Sequence, residues 1–146
     1  MKTLFAILIF ISFTAQACDS EWINLGGVSQ HLSWKRKNGE PNEVNPGLGY
    51  TCRNSGSDWA GGVYKNTVSK PSFYLLNYRY IKSGTNDIGV AYGAVTGYVW
   101  MRKLPNYKGV SPIGMLRATG EVVSGWRLGV NWIPRQLLSA DLMVRF

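Results

Sequence analysis

The segment Gln136 to Phe146, with the strand before it, leaves this chain the fewest ways to fold. Residues Gly125 to Trp132 alternate without a slip: Trp126, Leu128, Val130 and Trp132 fall on one face, Arg127, Gly129 and Asn131 on the other. After the turn signal Ile133-Pro134-Arg135 the alternation resumes, with Ala140, Leu142, Val144 and Phe146 on one face and Ser139, Asp141, Met143 and Arg145 on the other. A period of two is a strand period. Aromatic girdles, a polar opposite face and an aromatic last residue are how a transmembrane β-barrel ends; a soluble sheet more often ends in a solvated tail. The expected fold class is all-β, an eight-stranded antiparallel transmembrane β-barrel of the outer-membrane type.

The beginning of the chain agrees with export. Met1-Lys2-Thr3 is a short basic segment, Leu4 to Ala15 an apolar run, and Ala15-Gln16-Ala17 an A-x-A cleavage site. Residues 1–17 are read as a signal peptide, because the run is shorter than the ~20 residues a spanning helix needs. Acylation of Cys18 is the competing reading, weakened by Ala15 and Gln16 where an apolar and a small residue are usual. The remaining residues, 18–146, suffice for one domain and contain no apolar 18-mer. Loss of Lys2 lowers the formal charge from +8 to +7. An exported basic chain rarely meets nucleic acid; the polyanion within its reach is lipopolysaccharide. Cys18 and Cys52, the only two cysteines, can form one disulfide in an oxidising compartment if the start of the chain lies near Cys52.

Eight strands can be laid out: Trp22–Ser33, Gly47–Arg53, Asp58–Thr67, Ser72–Lys82, Ile88–Tyr98, Val110–Ala118, Val122–Trp132 and Leu137–Phe146. Tight turns are expected at Asn54-Ser55-Gly56-Ser57, Ser83 to Asp87 and Thr119-Gly120-Glu121. Short connections therefore follow the even strands and longer ones the first and fifth, with a proline-marked one after the third. In outer-membrane barrels short turns are periplasmic and long loops external, which puts both chain ends in the periplasm of a Gram-negative cell. A soluble barrel would have to turn the aromatic face inward, with Trp126, Trp132, Tyr74, Tyr78 and Tyr80 competing for a narrow lumen. Strand five has a small face, Gly89, Ala91 and Gly93. Pro46 is placed at the opening of strand two, Pro112 inside strand six and Pro134 at the end of strand seven; each removes a ladder donor. In strand one, Ile23, Leu25 and Gly27 share a face with Ser29 and His31, so an apolar-outward face turns polar unless a bulge intervenes.

Few residues carry obvious chemistry. His31, the one histidine, has no metal-ligand partner at suitable spacing, so no metal or other cofactor is expected, and no glycine-rich phosphate loop is present. The layout gathers His31, Asn66 and Thr67 at the external rim. A histidine beside a hydroxyl is the minimum for a nucleophile and its base, whereas ordinary loop residues are the plainer reading.

The combination His31-x-x-Trp34 followed by Asn42-Glu43-x-x-Pro46-Gly47-x-Gly49 resembles the lipid A palmitoyltransferase (PagP-like) family of outer-membrane acyltransferases. The likeness continues through Asp58 to Lys65, Ile88 to Thr96, Pro112, Ile133-Pro134 and the ending Met143 to Phe146. The resemblance implies a monomeric eight-stranded barrel whose lumen takes a phospholipid acyl chain and transfers it to lipid A, with His31 matching an essential histidine. The family follows the third-strand Lys with Asp-Ser, and here Lys65 is followed by Asn66-Thr67. Thr67 keeps a hydroxyl, while Asn66 lacks the carboxylate that would orient His31; the equivalent change in hydrolase triads costs ~10⁴ in rate. The family's amphipathic helix before strand one has almost no room between Cys18 and Trp22, while strand five and Pro112 suit an acyl-accepting lumen with a lateral gate. A second enzymatic reading is lipid A deacylation, with His31-Leu32-Ser33 as a His-x-Ser motif and Glu40 or Glu43 as third member. The non-enzymatic reading is a small barrel whose rim loops bind or exclude other molecules at the surface.

Overall fold

The computed structural model describes residues 18–33, 39–98 and 106–146. The leader and Trp34 lie outside the described residues. Eight strands, β1 (Ser20–His31), β2 (Val44–Asn54), β3 (Ser57–Lys65), β4 (Pro71–Ser83), β5 (Asn86–Thr96), β6 (Val110–Val123), β7 (Trp126–Ile133) and β8 (Leu137–Arg145), follow one another around a closed barrel. Each pairs antiparallel with its sequence neighbour, and β1 pairs with β8 to close the sheet. The end that carries Ser20 and the turns after β2, β4 and β6 is called lower here; the end that carries His31 is called upper. Among the described residues no helix precedes β1, which begins two residues after Cys18.

One boundary differs from the sequence reading. Thr119-Gly120-Glu121 is not a turn: β6 continues through it to Val123, and the chain reverses at Ser124-Gly125. Thr119 is buried and its hydroxyl bonds Asp87 inside the barrel, so a polar residue that looked like turn material is a lumen residue. Pro46 is also the third residue of β2 rather than its opening.

The bulge that strand one required is present. The register of β1 shifts between Asn24 and Gly26 against β2, and between Asn24 and Gly27 against β8. Gly26 sits there at φ 75°, a left-handed conformation that glycine accepts without a Cβ clash. The extra residue moves Ser29 and His31 onto the inner side while Ile23, Leu25 and Val28 stay outside.

Alternation sorts the rest. Trp126, Leu128, Val130 and Trp132 are exposed on the outer wall, and Arg127 and Asn131 are buried inside. Leu48, Phe73, Leu75, Val90 and Leu116 extend the outer apolar surface to the other strands. Strand four is turned the other way from the aromatic-outward pattern: Tyr78 and Tyr80 are buried inside. Their hydroxyls donate to the carbonyls of Arg117 (3.0 Å) and Asn54 (2.7 Å), which removes the cost of burying them. Tyr78 and Tyr80 stand opposite Ala91 and Gly89, so the small face of β5 is the room the tyrosines need.

The lumen is filled by paired charges. In a lower layer Arg53 reaches Asp58 (3.1 Å) and Asp87 (2.6 Å), and Arg127 and Thr119 reach the same Asp87 oxygen at 2.6 and 3.1 Å. In a middle layer Arg117 holds Asp141 through two bonds of 2.7 and 2.9 Å, and Asn131 adds a third at 2.7 Å. Buried charges persist only when compensated in this way. At the lower rim Cys18 and Cys52 are joined in a disulfide, which leaves Cys18 no thiol to acylate.

Candidate functional site

The lumen holds a cavity of about 210 Å³ that reaches from the upper rim past the middle layer to Asp58 and Thr119. Its walls include Leu76, Ala91, Ile113, Met115 and Ile133, its upper end includes Thr67, and Arg117 and Asp141 also line it. The volume lies below the ~300–1,000 Å³ usual for drug-sized ligands, so it suits a slender chain better than a bulky one.

His31 is the last residue of β1, at the upper rim, and its side chain is 9% exposed. Its Nε2 lies 2.9 Å from the Thr67 hydroxyl, across 36 residues of sequence. On the other side of the ring, Nδ1 lies 3.8 Å from Glu43 Oε1, and the same carboxylate oxygen accepts the His31 backbone N–H at 3.1 Å. With the proton on Nδ1, the side facing the Glu43 carboxylate, Nε2 would accept the hydrogen bond from the Thr67 hydroxyl; the other tautomer reverses the roles. Burial lowers the His31 pKa below its ordinary 6.5, opposed by the charge and hydrogen bonding of Glu43. The imidazole is therefore neutral at pH 7, the state a general base requires.

Asn66 and Thr67 are both buried beside this rim, but they do different things. The Asn66 carbonyl oxygen of the side chain accepts the backbone N–H groups of Val68 and Lys70, and its amide donates to Ser72 at 2.9 Å. Val68 and Lys70 lie in the loop between β3 and β4 and Ser72 at the start of β4, so Asn66 builds that loop in the manner of an Asx turn and ties it to β4; none of these bonds orients His31. The carboxylate near His31 is that of Glu43, which bonds the His31 backbone and lies 3.8 Å from Nδ1, beyond hydrogen-bond distance.

Asn42 joins the two loops. Its backbone N–H donates to the Thr67 carbonyl at 2.7 Å, and its side-chain amide donates to the Asn66 carbonyl at 3.1 Å. Asn42 and Glu43 thus place Thr67 and His31 relative to each other. Their adjacency in the Asn42-Glu43 motif was the one signal of this in the sequence. Ser33 lies beyond β1 and is exposed, so the His-x-Ser reading gains no contact from the fold. Among the described residues no group of three metal-ligating side chains gathers.

The wall beside the cavity is incomplete at its upper end. The β6–β7 ladder stops at Leu116 opposite Trp132, while the β5–β6 ladder continues to Val110 opposite Thr96. Residues 110–115 therefore have no β7 partner among the described residues, and Pro112 lies in this edge-like part, where a missing donor is tolerated. No protein-family model matches the chain, and no curated protein matches it.

Proposed function

We propose that this chain is an outer-membrane barrel enzyme that transfers an acyl chain from a phospholipid to lipid A at its external rim. One observation carries the reading: the Thr67 hydroxyl, hydrogen-bonded to a neutral His31 with Glu43 nearby, stands at the upper end of a largely apolar-walled cavity. Residence in a membrane is supported by the closed sheet, whose outer wall carries Leu48, Phe73, Leu75, Val90, Leu116, Trp126 and Trp132 exposed. Each Å² of such surface left in water forgoes ~25 cal/mol, and a contiguous apolar band has the height of a bilayer when strands are ~9–11 residues long. The short turns and chain ends then face the periplasm, and His31 faces the leaflet that holds lipid A.

The chemistry is acyl transfer in two halves. His31 Nε2 takes the Thr67 proton as Oγ1 attacks the ester carbonyl of the phospholipid. The ester C–O bond breaks and the lysophospholipid leaves with that proton. An acceptor hydroxyl of lipid A, deprotonated by His31, then attacks the threonyl ester, and the proton returns to Thr67. Glu43 stabilises the imidazolium formed in each half. The acyl chain lies in the cavity and enters through the upper gap between β6 and β7. The resemblance to lipid A palmitoyltransferases noted in the sequence agrees with this, with Glu43 in place of the missing third-strand carboxylate.

Mass spectrometry of lipid A from cells with and without the protein tests the proposal. A gain of one acyl chain, abolished by His31→Ala and by Thr67→Val, is the expected result. Loss of a chain selects deacylation, with water as the acceptor. An unchanged spectrum removes both and leaves a binding barrel.

A further inference from the structure

A polar interruption lies in the apolar outer wall of β4. On β4, Asn77 and Arg79 point outward between Leu75 and Ile81, both of which are strongly exposed. Asn77 is nevertheless 2% exposed. Its amide donates to Ser57 Oγ at 3.2 Å and to the Asp58 carbonyl at 3.1 Å, and its side-chain oxygen accepts from Arg79 Nε at 3.0 Å. Trp59 and Tyr92 stand in register with Asn77 on the two neighbouring strands, 46% and 47% exposed. Ser57 and Val90 flank Arg79 in the same way. The result is an exposed guanidinium fixed at one nitrogen by a buried amide, on the outer wall one step below Trp59 and Tyr92.

We infer that this is a binding site for the phosphodiester of a phospholipid in the lower, periplasmic leaflet; the inference rests on the membrane reading above. An ionisable side chain on a lipid-facing surface is costly unless paired, and the planar fork of arginine matches two phosphate oxygens. Arg79 lies four residues from the end of β4 at Ser83. At ~3.3 Å per residue and a strand tilt of ~40° this is about 10 Å above the lower end, within reach of a headgroup. Trp59 and Tyr92 lie higher on the wall, where acyl chains begin and amphipathic rings settle. Fixing Nε in advance lowers the ordering cost of the contact.

The test uses the intact barrel inserted into phosphatidylglycerol vesicles, extracted in mild detergent and weighed by native mass spectrometry. The expected result is one retained phospholipid in the parent protein, lost in at least four-fifths of the molecules in Arg79→Gln. Arg79→Lys, which keeps the charge without the fork, is expected to retain an intermediate fraction. Lys82→Gln, on the same strand, is expected to retain the lipid, and an excess of inorganic phosphate is expected not to displace it. Equal retention in Arg79→Gln, equal loss in Lys82→Gln, or displacement by free phosphate overturns the site. A barrel that inserts yet retains no lipid overturns the site alone; a chain that does not insert overturns the membrane reading with it.

Discussion

Asp87 is the side chain on which the lower half of the lumen depends most. It is buried, and its Oδ2 takes Arg53 and Arg127 at 2.6 Å each and the Thr119 hydroxyl at 3.1 Å. Asp87→Asn keeps the shape and removes the charge. Of the remaining carboxylates Asp58 lies 3.1 Å from Arg53, and Glu121 stands opposite Arg127 on β6 without forming an ion pair with it. Breaking a buried ion pair by removing one partner costs ~3–5 kcal/mol. A cavity of about 320 Å³ beside this layer, lined by Arg53, Asp87 and Arg127, admits water and places the cost near the lower end, about 3 kcal/mol. The same reasoning fixes a second variant. Arg127→Met in the Asp87→Asn background leaves Arg53 paired with Asp58 and no surplus charge. The double variant should therefore be more stable than the sum of the singles by at least ~1.5 kcal/mol. Urea unfolding of the barrel in vesicles, followed by tryptophan fluorescence and by gel migration without boiling, measures both values, with an unchanged slope against urea showing that the same surface is exposed. An Asp87→Asn protein within ~0.5 kcal/mol of the parent, or strict additivity in the cycle, would refute the account of the lumen as a compensated charge layer.

Three further outcomes follow from the geometry. A Cβ at Gly129 would stand 2.6 Å from Arg117 Nη2 and 2.8 Å from Asp141 Oδ2, so Gly129→Ala should cost ~1–3 kcal/mol by overpacking in the same unfolding assay, and a neutral result would show that the ion pair can shift. The disulfide joins residues separated by 34 in sequence; replacing both cysteines by serine should cost ~3–4 kcal/mol by chain entropy, and the parent treated with reductant should unfold at the same urea concentration as the variant. Because burial lowers the His31 pKa below 6.5 while Glu43 opposes the shift, acyl transfer should be flat above about pH 6.5 and fall as pH drops through the lowered value and Nε2 is protonated. Glu43→Gln removes the opposing charge and should move that limb further to acid. It should also lower the plateau only ~10-fold, far less than the ~10⁴ of a buried triad aspartate, since Glu43 is 47% exposed; an alkaline shift in the pH–rate profile would refute the pairing.

The strand count and the two faces of β7 were legible because alternation satisfies both at once: Trp126 and Trp132 outside, Arg127 and Asn131 inside. Strand four shows where the same rule loses its grip. A tyrosine is apolar along its ring and polar at its tip, so Tyr78 and Tyr80 can line a charged lumen as readily as a membrane interface; what decided their side was the small face of β5 opposite them and the backbone carbonyls that take their hydroxyls. Neither is visible from β4 alone. The turn misplaced at Thr119-Gly120-Glu121 has the same origin, since Thr119 is polar for Asp87 and not for solvent. At the rim, the layout brought His31 and Thr67 to one end correctly, and the structure puts them 2.9 Å apart. It could not apportion roles between Asn66 and Glu43. Asn66 sits beside Thr67 in sequence yet turns its side chain to its own loop and to Ser72 of β4. Glu43 sits 12 residues from His31 and reaches it only because the Gly26 bulge has moved His31 to the inner side of β1. The bulge is thus the step that turns the end of an alternating strand toward Thr67. A variant that removes it, such as Gly26→Val, would place a Cβ 2.4 Å from the Asn45 carbonyl at a positive φ, so β1 would have to slip by one residue or stay unpaired. Slippage returns His31 to the outer wall, and a barrel that keeps its gel migration while losing acyl transfer would be the sign that the register of β1, rather than the stability of the fold, positions the base.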